Sequence, residues 1–221
     1  MIQTYSTTIR RKEMDAVLTC MVDEKIGPGE LNSRLTAQVK EFFKCDGSAA
    51  FRSPAIALKY ALLSLGIEKQ SKVLISALAP AWQYQSLLAL DMIPVVLDVQ
   101  ESNALVSVDS VQKGIQDGGK VLLLHESEGI LPELEEIVKL GIPLIEDISM
   151  SAGASVPVRD ENGNETGRKK AGLFGVFTIL GLEERDVITS GGGAVLMAPG
   201  RREWIVLKKF ADEAPLTDLL P

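Results

Sequence analysis

Between Val73 and Asp147, short β-rich apolar runs alternate with segments whose apolar residues recur at helical spacing. No other feature of the chain restricts its fold as much. Residues 73–78, 95–99, 121–125 and 143–147 each read as a strand. These are continuous apolar runs, the pattern of strands covered on both faces, where a half-exposed strand would alternate. Residues 81–92, 108–116 and 132–140 between them read as helices. Pro132 stands where a first-turn proline is tolerated, and Gly141 where a helix C-terminal glycine belongs. Strand–helix–strand alternation of this kind predicts an α/β fold: a mostly parallel, mixed sheet sandwiched by helices.

Two helical patterns, at 8–24 and 31–43, precede this unit, separated by Ile26-Gly27-Pro28-Gly29. A short segment, Ala49 to Arg52, leads into a helix opened by Ser53-Pro54, which is ordinary helix-start chemistry. After Asp147 comes a polar stretch, 159–170, containing Asn162-Gly163, a dipeptide that favours a tight hairpin turn. Strands at 175–180 and 193–198 and a helix at 201–211 complete the pattern. No repeat or linker interrupts it. A single domain is expected over 1–221, with helices in 1–45, the α/β core in 46–200 and a closing helix and tail in 201–221.

The 221 residues are 46% hydrophobic, enough for a substantial core. A net charge of −7 argues against a nucleic-acid or acidic-membrane surface, which needs a basic face. Cys20 and Cys45 form no CxxC and no zinc spacing. No basic-then-apolar leader opens the chain, and no apolar run approaches the roughly 20 residues of a membrane helix. A cytoplasmic location is therefore expected.

In open α/β sheets, ligands bind beyond the carboxyl ends of the strands. Asp147 ends one such strand. It could accept a hydrogen bond from a cationic ligand nitrogen, or cap the following turn. His125, the only histidine, ends another and is open to general-base or structural roles. The helix start at Ser53 could hold a phosphate on free N–H groups, although Pro54 removes one donor. Trp82 and Tyr84 open a helix, where an indole could stack on an aromatic cofactor or pack in the core. Ser190-Gly191-Gly192-Gly193 lacks dinucleotide spacing and reads as a flexible turn. Lys169 and Lys170 read as a solvated charge pair.

Several segments carry a resemblance in order. Ser53-Pro54-Ala55-Ile56-Ala57-Leu58 stands where the related sequences have Ser-Gly-Thr-Ala-Ala-Leu. Pro94-Val95-Val96-Leu97-Asp98 matches Pro-Val-Phe-Val-Asp. LIEDISMSAGA (144–154) matches VIEDAAQAHGA. Residues 172–179 match GDxGxFSF, and Gly192-Gly193-Ala194-Val195 matches Gly-Gly-Met-Val. In these the chain resembles the DegT-type nucleotide-sugar aminotransferases, among the fold-type-I pyridoxal-phosphate (PLP) enzymes. The resemblance covers almost the whole chain and implies their large-domain fold.

The resemblance implies that Asp147 meets the pyridine nitrogen, which keeps the ring an electron sink. It implies that Thr178 takes the place of a phosphate-contacting serine, that Trp82 lies near the stacking aromatic, and that Ser53 and Ala55 belong to the phosphate loop. The chain departs from the pattern elsewhere. Met150 and Ala152 replace a glutamine and a histidine, and Pro54-Ala55 replaces the loop's Gly-Thr. The position of the family's lysine falls on Glu183 counted forward from Thr178, or on Glu184 counted back from the Gly-Gly turn, and no lysine occurs from Ala171 through Glu203. A carboxylate forms no Schiff base and repels the cofactor's phosphate and phenolate. Some relatives place histidine there and act as dehydratases; glutamate imitates that poorly.

The expectation is a catalytically silent member with no catalytic residue and no bound cofactor, forming a homodimer through the large domain and acting by binding a protein or small molecule. The rival expectation is an active PLP-dependent aminotransferase acting on a keto sugar or nucleotide sugar, with Lys59, Lys169, Lys170 or a partner chain supplying the amine. The family's smaller C-terminal domain is not expected within residues 1–221.

Overall fold

The computed structural model describes residues 8–159 and 164–221. Nine strands and seven α-helices follow in chain order: α1 (Arg11–Val22), α2 (Glu30–Phe43), β1 (Gly47–Phe51), α3 (Pro54–Ser64), β2 (Lys72–Ser76), α4 (Ala81–Ala89), β3 (Ile93–Leu97), α5 (Val108–Gln116), β4 (Gly119–His125), α6 (Leu134–Lys139), β5 (Leu144–Asp147), β6 (Ser155–Arg159), β7 (Glu165–Lys170), β8 (Phe177–Gly181), β9 (Ala194–Ala198) and α7 (Arg201–Asp212). Seven strands form one sheet in the order β1-β9-β8-β5-β4-β2-β3. Strands β8, β5, β4, β2 and β3 are parallel neighbours. β9 runs against both β8 and β1. The sheet is therefore mixed and mostly parallel, as the strand–helix alternation predicts.

The two faces of the sheet can be followed residue by residue, because successive strand side chains point to opposite sides. Val73, Ile75, Val121, Leu123, Ile145, Phe177 and Ile179 pack with Leu58, Ala61 and Leu87 of α3 and α4 and with Leu207 of α7. Leu74, Leu122, Leu124 and Leu144 point the other way, onto Val111 of α5 and Leu134 and Ile137 of α6. At the β8–β9 end, Leu180, Val195 and Met197 meet Val39 and Phe43 of α2. Each such side chain, fully buried, contributes about 1.5–3 kcal/mol of transfer free energy.

Strand β3 departs from the expected burial on both faces. It is the outer edge of the sheet, and Ile93 and Val96 are 39% and 52% exposed. An apolar run cannot by itself distinguish a central strand from an edge strand. Helix α6 starts at Leu134, two residues after the proline expected in its first turn; Pro132 instead offers its carbonyl to Leu134 N–H at 2.7 Å. β7 had no apolar signal, because its residues lie in an exposed two-stranded hairpin with β6. The Asn162-Gly163 turn lies outside the described residues.

Helix α1 buries no residue. No helix among the described residues is long and apolar enough to cross a membrane.

Candidate functional site

The carboxyl ends of the central strands converge on Asp147. In register, His125 of β4 stands beside Asp147, and Asp147 beside Ile179 of β8. His125 and Asp147 share the phase of Leu123 and Ile145, so both face the α3–α4 layer. From that layer comes Gln83, in the first turn of α4. Gln83 and Asp147 are both fully buried.

Asp147 is surrounded by donors from its own chain. Its Oδ2 accepts from Gln83 Nε2 at 2.8 Å and from Nδ1 of His125 at 2.9 Å. Its Oδ1 accepts from the backbone N–H of Ser149 at 3.1 Å and from the Ser149 hydroxyl at 2.5 Å. A carboxylate offers about four lone-pair positions, and these four bonds use them. The bond to Ser149 N–H makes Asp147 the cap of the following turn, one of its two expected roles. The bond to Nδ1 fixes the His125 tautomer, because a carboxylate can only accept there.

For the same reason the amide nitrogen of Gln83 faces Asp147. Its Oε1 is then buried with no donor among the described residues, a loss of about 1–3 kcal/mol against a satisfied amide. Neither Gln83 nor Ser149 was singled out in the sequence. The Asp147-x-Ser149 spacing is a side-chain-to-backbone turn signal, but nothing in the sequence points to Gln83.

The loop after β8 lies against this cluster. Val187 N–H donates to the Ser149 carbonyl at 3.0 Å, and Glu183 N–H donates to Asp186 Oδ2 at 2.7 Å. A Cβ on Gly181 would collide with both the Asp186 carboxylate and the Ser149 hydroxyl, so glycine lets the loop seat there. Asp186 is pushed up to about 6, chiefly by burial; the Glu183 N–H lowers it, the charges of Asp147 and Glu183 raise it, and His125 lowers it. Sequence reasoning missed Asp186, which local spacing does not connect to β5.

On the other face of the sheet, below Asp147, a second acid cluster supports the site. Glu146 accepts from Gly172 N–H at 2.8 Å, from Phe174 N–H at 2.7 Å and from Gly175 N–H. It thereby fixes the turn that enters β8. Glu126, also fully buried, takes the Ser151 hydroxyl on Oε2, and its Oε1 has no partner among the described residues. Burial, and then the negative charge of Glu146, push the Glu126 carboxyl well above its ordinary range. Burial raises the Glu146 carboxyl as well, although its three backbone N–H donors pull it back down.

The other expected site residues are scattered. Thr178 does not reach the cleft: it pairs with Glu146, one residue out of phase with Asp147, so its side chain lies on the opposite face. Fully buried there, its hydroxyl donates to the Gly172 carbonyl at 2.7 Å. Trp82 is half-buried against the core cluster of α3 and α4, and the next residue, Gln83, turns inward. Ser53 caps α3, its hydroxyl accepting from Ile56 N–H at 3.3 Å. With Pro54 lacking an N–H and Ile56 capped, Ala55 supplies the remaining first-turn donor. Glu183 and Glu184 are exposed on the loop after β8.

The lysines expected to be solvated or mobile have partners. Lys59 Nζ is 2.8 Å from Asp218 Oδ2. Lys169 lies 4.1 Å from the Phe174 ring centroid, and Lys170 donates to the Phe42 carbonyl over that ring. Cys45 is buried and Cys20 half-buried, both free thiols. Among the described residues no group of three or more His, Cys, Asp or Glu could hold a metal.

A family model described as the DegT/DnrJ/EryC1/StrS aminotransferase family matches residues 7–205. The chain is 23% identical over 203 residues to GDP-perosamine synthase of Vibrio cholerae, covering 90% of this chain and 53% of that relative. An aminotransferase structure from Psychrobacter cryohalolentis superposes with a TM-score of 0.81 at 18% identity, over 94% of this chain and 52% of that one. A Streptococcus pneumoniae protein assigned as a sugar aminotransferase and solved in a PLP form superposes with a TM-score of 0.79 at 15% identity, over 94% of this chain and 57% of that one. The chain thus spans about half the length of these relatives.

Proposed function

This chain belongs to the DegT/DnrJ/EryC1/StrS aminotransferase family, and we propose that it is a member whose cleft no longer carries out transamination and acts by binding instead. The reading rests above all on Asp147. A PLP ring held in this family's manner needs an acceptor for its ring nitrogen, donors for its phosphate and an amine for its aldehyde. All four acceptor positions of Asp147 are occupied by Gln83, His125 and Ser149. With Pro54 lacking an N–H and Ile56 N–H taken by Ser53, the start of α3 offers a phosphate fewer backbone donors than an uncapped helix start. The stretch from Ala171 through Glu203 contains no lysine. These residues do not fit the cofactor.

Where the family resemblance places the lysine, this loop instead brings the Asp186 carboxyl toward Asp147, whose charge is one cause of its raised pKa. A carboxyl there neither bonds to an aldehyde nor tolerates a phenolate beside it. What the chain keeps is a stable large-domain fold and, by family resemblance, a self-associating surface. A homodimer that binds a protein or small molecule is the proposed working form.

The rival reading is an active aminotransferase on a keto sugar, in line with the names of the relatives. It requires a displaced amine. Lys59 would have to leave Asp218, Lys169 its place over Phe174, or Lys170 the Phe42 carbonyl; otherwise a partner chain must supply one. An amino-donor half-reaction separates the two. With PLP and excess glutamate, the proposal expects no protein-dependent conversion of PLP to its amine form. Turnover above the free-cofactor rate would establish the rival.

A further inference from the structure

We propose that Gln83 is the residue that closes Asp147 to a ring nitrogen. The inference rests on the reading that this site does not take PLP, and it assigns one part of that refusal, the occupied acceptor for the ring nitrogen, to one side chain. Of the three residues bonded to Asp147, two have other reasons to be there. Ser149 lies two residues along the same loop, and its hydroxyl also accepts from Gly181 N–H at 3.0 Å. His125 is the register neighbour of Asp147 on the adjacent strand.

Gln83 comes from a different layer, the first turn of α4, and its amide has no second partner: Nε2 reaches Asp147 and Oε1 is enclosed without a donor. A side chain chosen for stability at a buried site would satisfy both ends of its amide. Half-satisfied as it is, its distinguishing effect is to hold a lone pair of Asp147 Oδ2. With that lone pair released, Asp147 regains an acceptor position that a protonated pyridine nitrogen could use.

The test uses pyridoxamine 5′-phosphate, which carries the ring nitrogen and phosphate but has no aldehyde to react with surface lysines. Its binding is measured by calorimetry and by cofactor fluorescence on the whole chain and on Gln83→Ala. The proposal expects the variant to bind at least roughly tenfold more tightly than the natural chain, the worth of one hydrogen bond to a charged group. Adding Asp147→Asn to Gln83→Ala should abolish the gain, and an analogue with carbon in place of the ring nitrogen should show none.

Folding of each variant is checked by circular dichroism and melting, with Gln83→Ser as the second variant should the alanine form prove unstable. If either folded variant binds no more tightly than the natural chain, the proposal is overturned. It is also overturned if the gain survives Asp147→Asn, since the effect would then be space alone. A stoichiometric imine between PLP and the unmodified chain would instead contradict the reading on which the proposal stands.

Discussion

The carboxyls of Glu126 and Glu146 are both fully buried, one strand-end away from Asp147, and the charge of Glu146 is among the causes that raise the Glu126 carboxyl. Glu146 accepts from three backbone N–H groups of the turn at 172–175, whereas Glu126 takes the Ser151 hydroxyl and has no partner for Oε1 among the described residues.

That arrangement has a pH signature. Glu126 titrates higher in the folded chain than in the unfolded one. Its contribution to stability is therefore complete below the unfolded value of about 4.3 and is lost as pH rises through the folded value. Glu126→Gln keeps the size of the side chain and removes the titration. Urea denaturation at a series of pH values should show a flatter stability curve for the variant on the alkaline side. The difference in slope should be at most about 1.4 kcal/mol per pH unit, the linkage of one proton. Parallel curves would show that Glu126 does not titrate higher in the folded chain.

Asp186 adds a second dependence of the same sign. Its folded value is about 6, so the protonated carboxyl favours the folded loop at low pH, and the benefit fades as pH passes through about 6. Asp186→Asn should remove this fall. Hydrogen exchange at Val187 N–H, which is bonded to the Ser149 carbonyl, should report it locally: opening increases with pH in the natural chain, beyond the intrinsic rate, and stays level in the variant.

Asp218 ties the C-terminal segment to α3 by accepting from Lys59 at 2.8 Å and from the Tyr60 hydroxyl at 2.9 Å. Burial, followed by the bond to Asp218 and its charge, pushes the Tyr60 phenol up to about 12. Asp218→Ala should bring that ionisation back toward the ordinary value of about 10, read from phenolate absorbance against pH. An unchanged titration would mean that the segment does not hold this place in solution.

Gly181→Ala tests the seat of the loop after β8. The new methyl would meet the Ser149 hydroxyl and the Asp186 carboxylate together. A loss of roughly 1–3 kcal/mol is expected, the cost of overpacking a filled site, as measured by denaturant midpoint. A neutral substitution would show the loop to be displaced from Ser149.

Much of this architecture is legible in the sequence because it depends on local period. Helix α5 falls on 108–116 as its spacing predicts, and β5 ends at Asp147 as its apolar run predicts. Failures occur where a pairing partner decides the outcome. The apolar run of β3 does not reveal that no strand among the described residues lies beyond it. Thr178 matches a family motif, yet the β5–β8 register turns its hydroxyl to the far face. Trp82 draws attention as an aromatic, while the neighbouring Gln83, one residue further round the first turn of α4, reaches Asp147. Asp186 and Gln83 are separated from Asp147 by 39 and 64 residues of chain, and no local pattern joins positions that far apart.

On the proposed reading, PLP meets neither an amine nor an open carboxylate at Asp147. Borohydride reduction of the chain after incubation with PLP, followed by peptide mass mapping, tests it most directly. The account predicts only scattered, substoichiometric labelling of exposed lysines, the same with and without a competing phosphate ester. One stoichiometric pyridoxyl adduct on a single lysine, protected by that competitor and absent from Asp147→Asn, would contradict it.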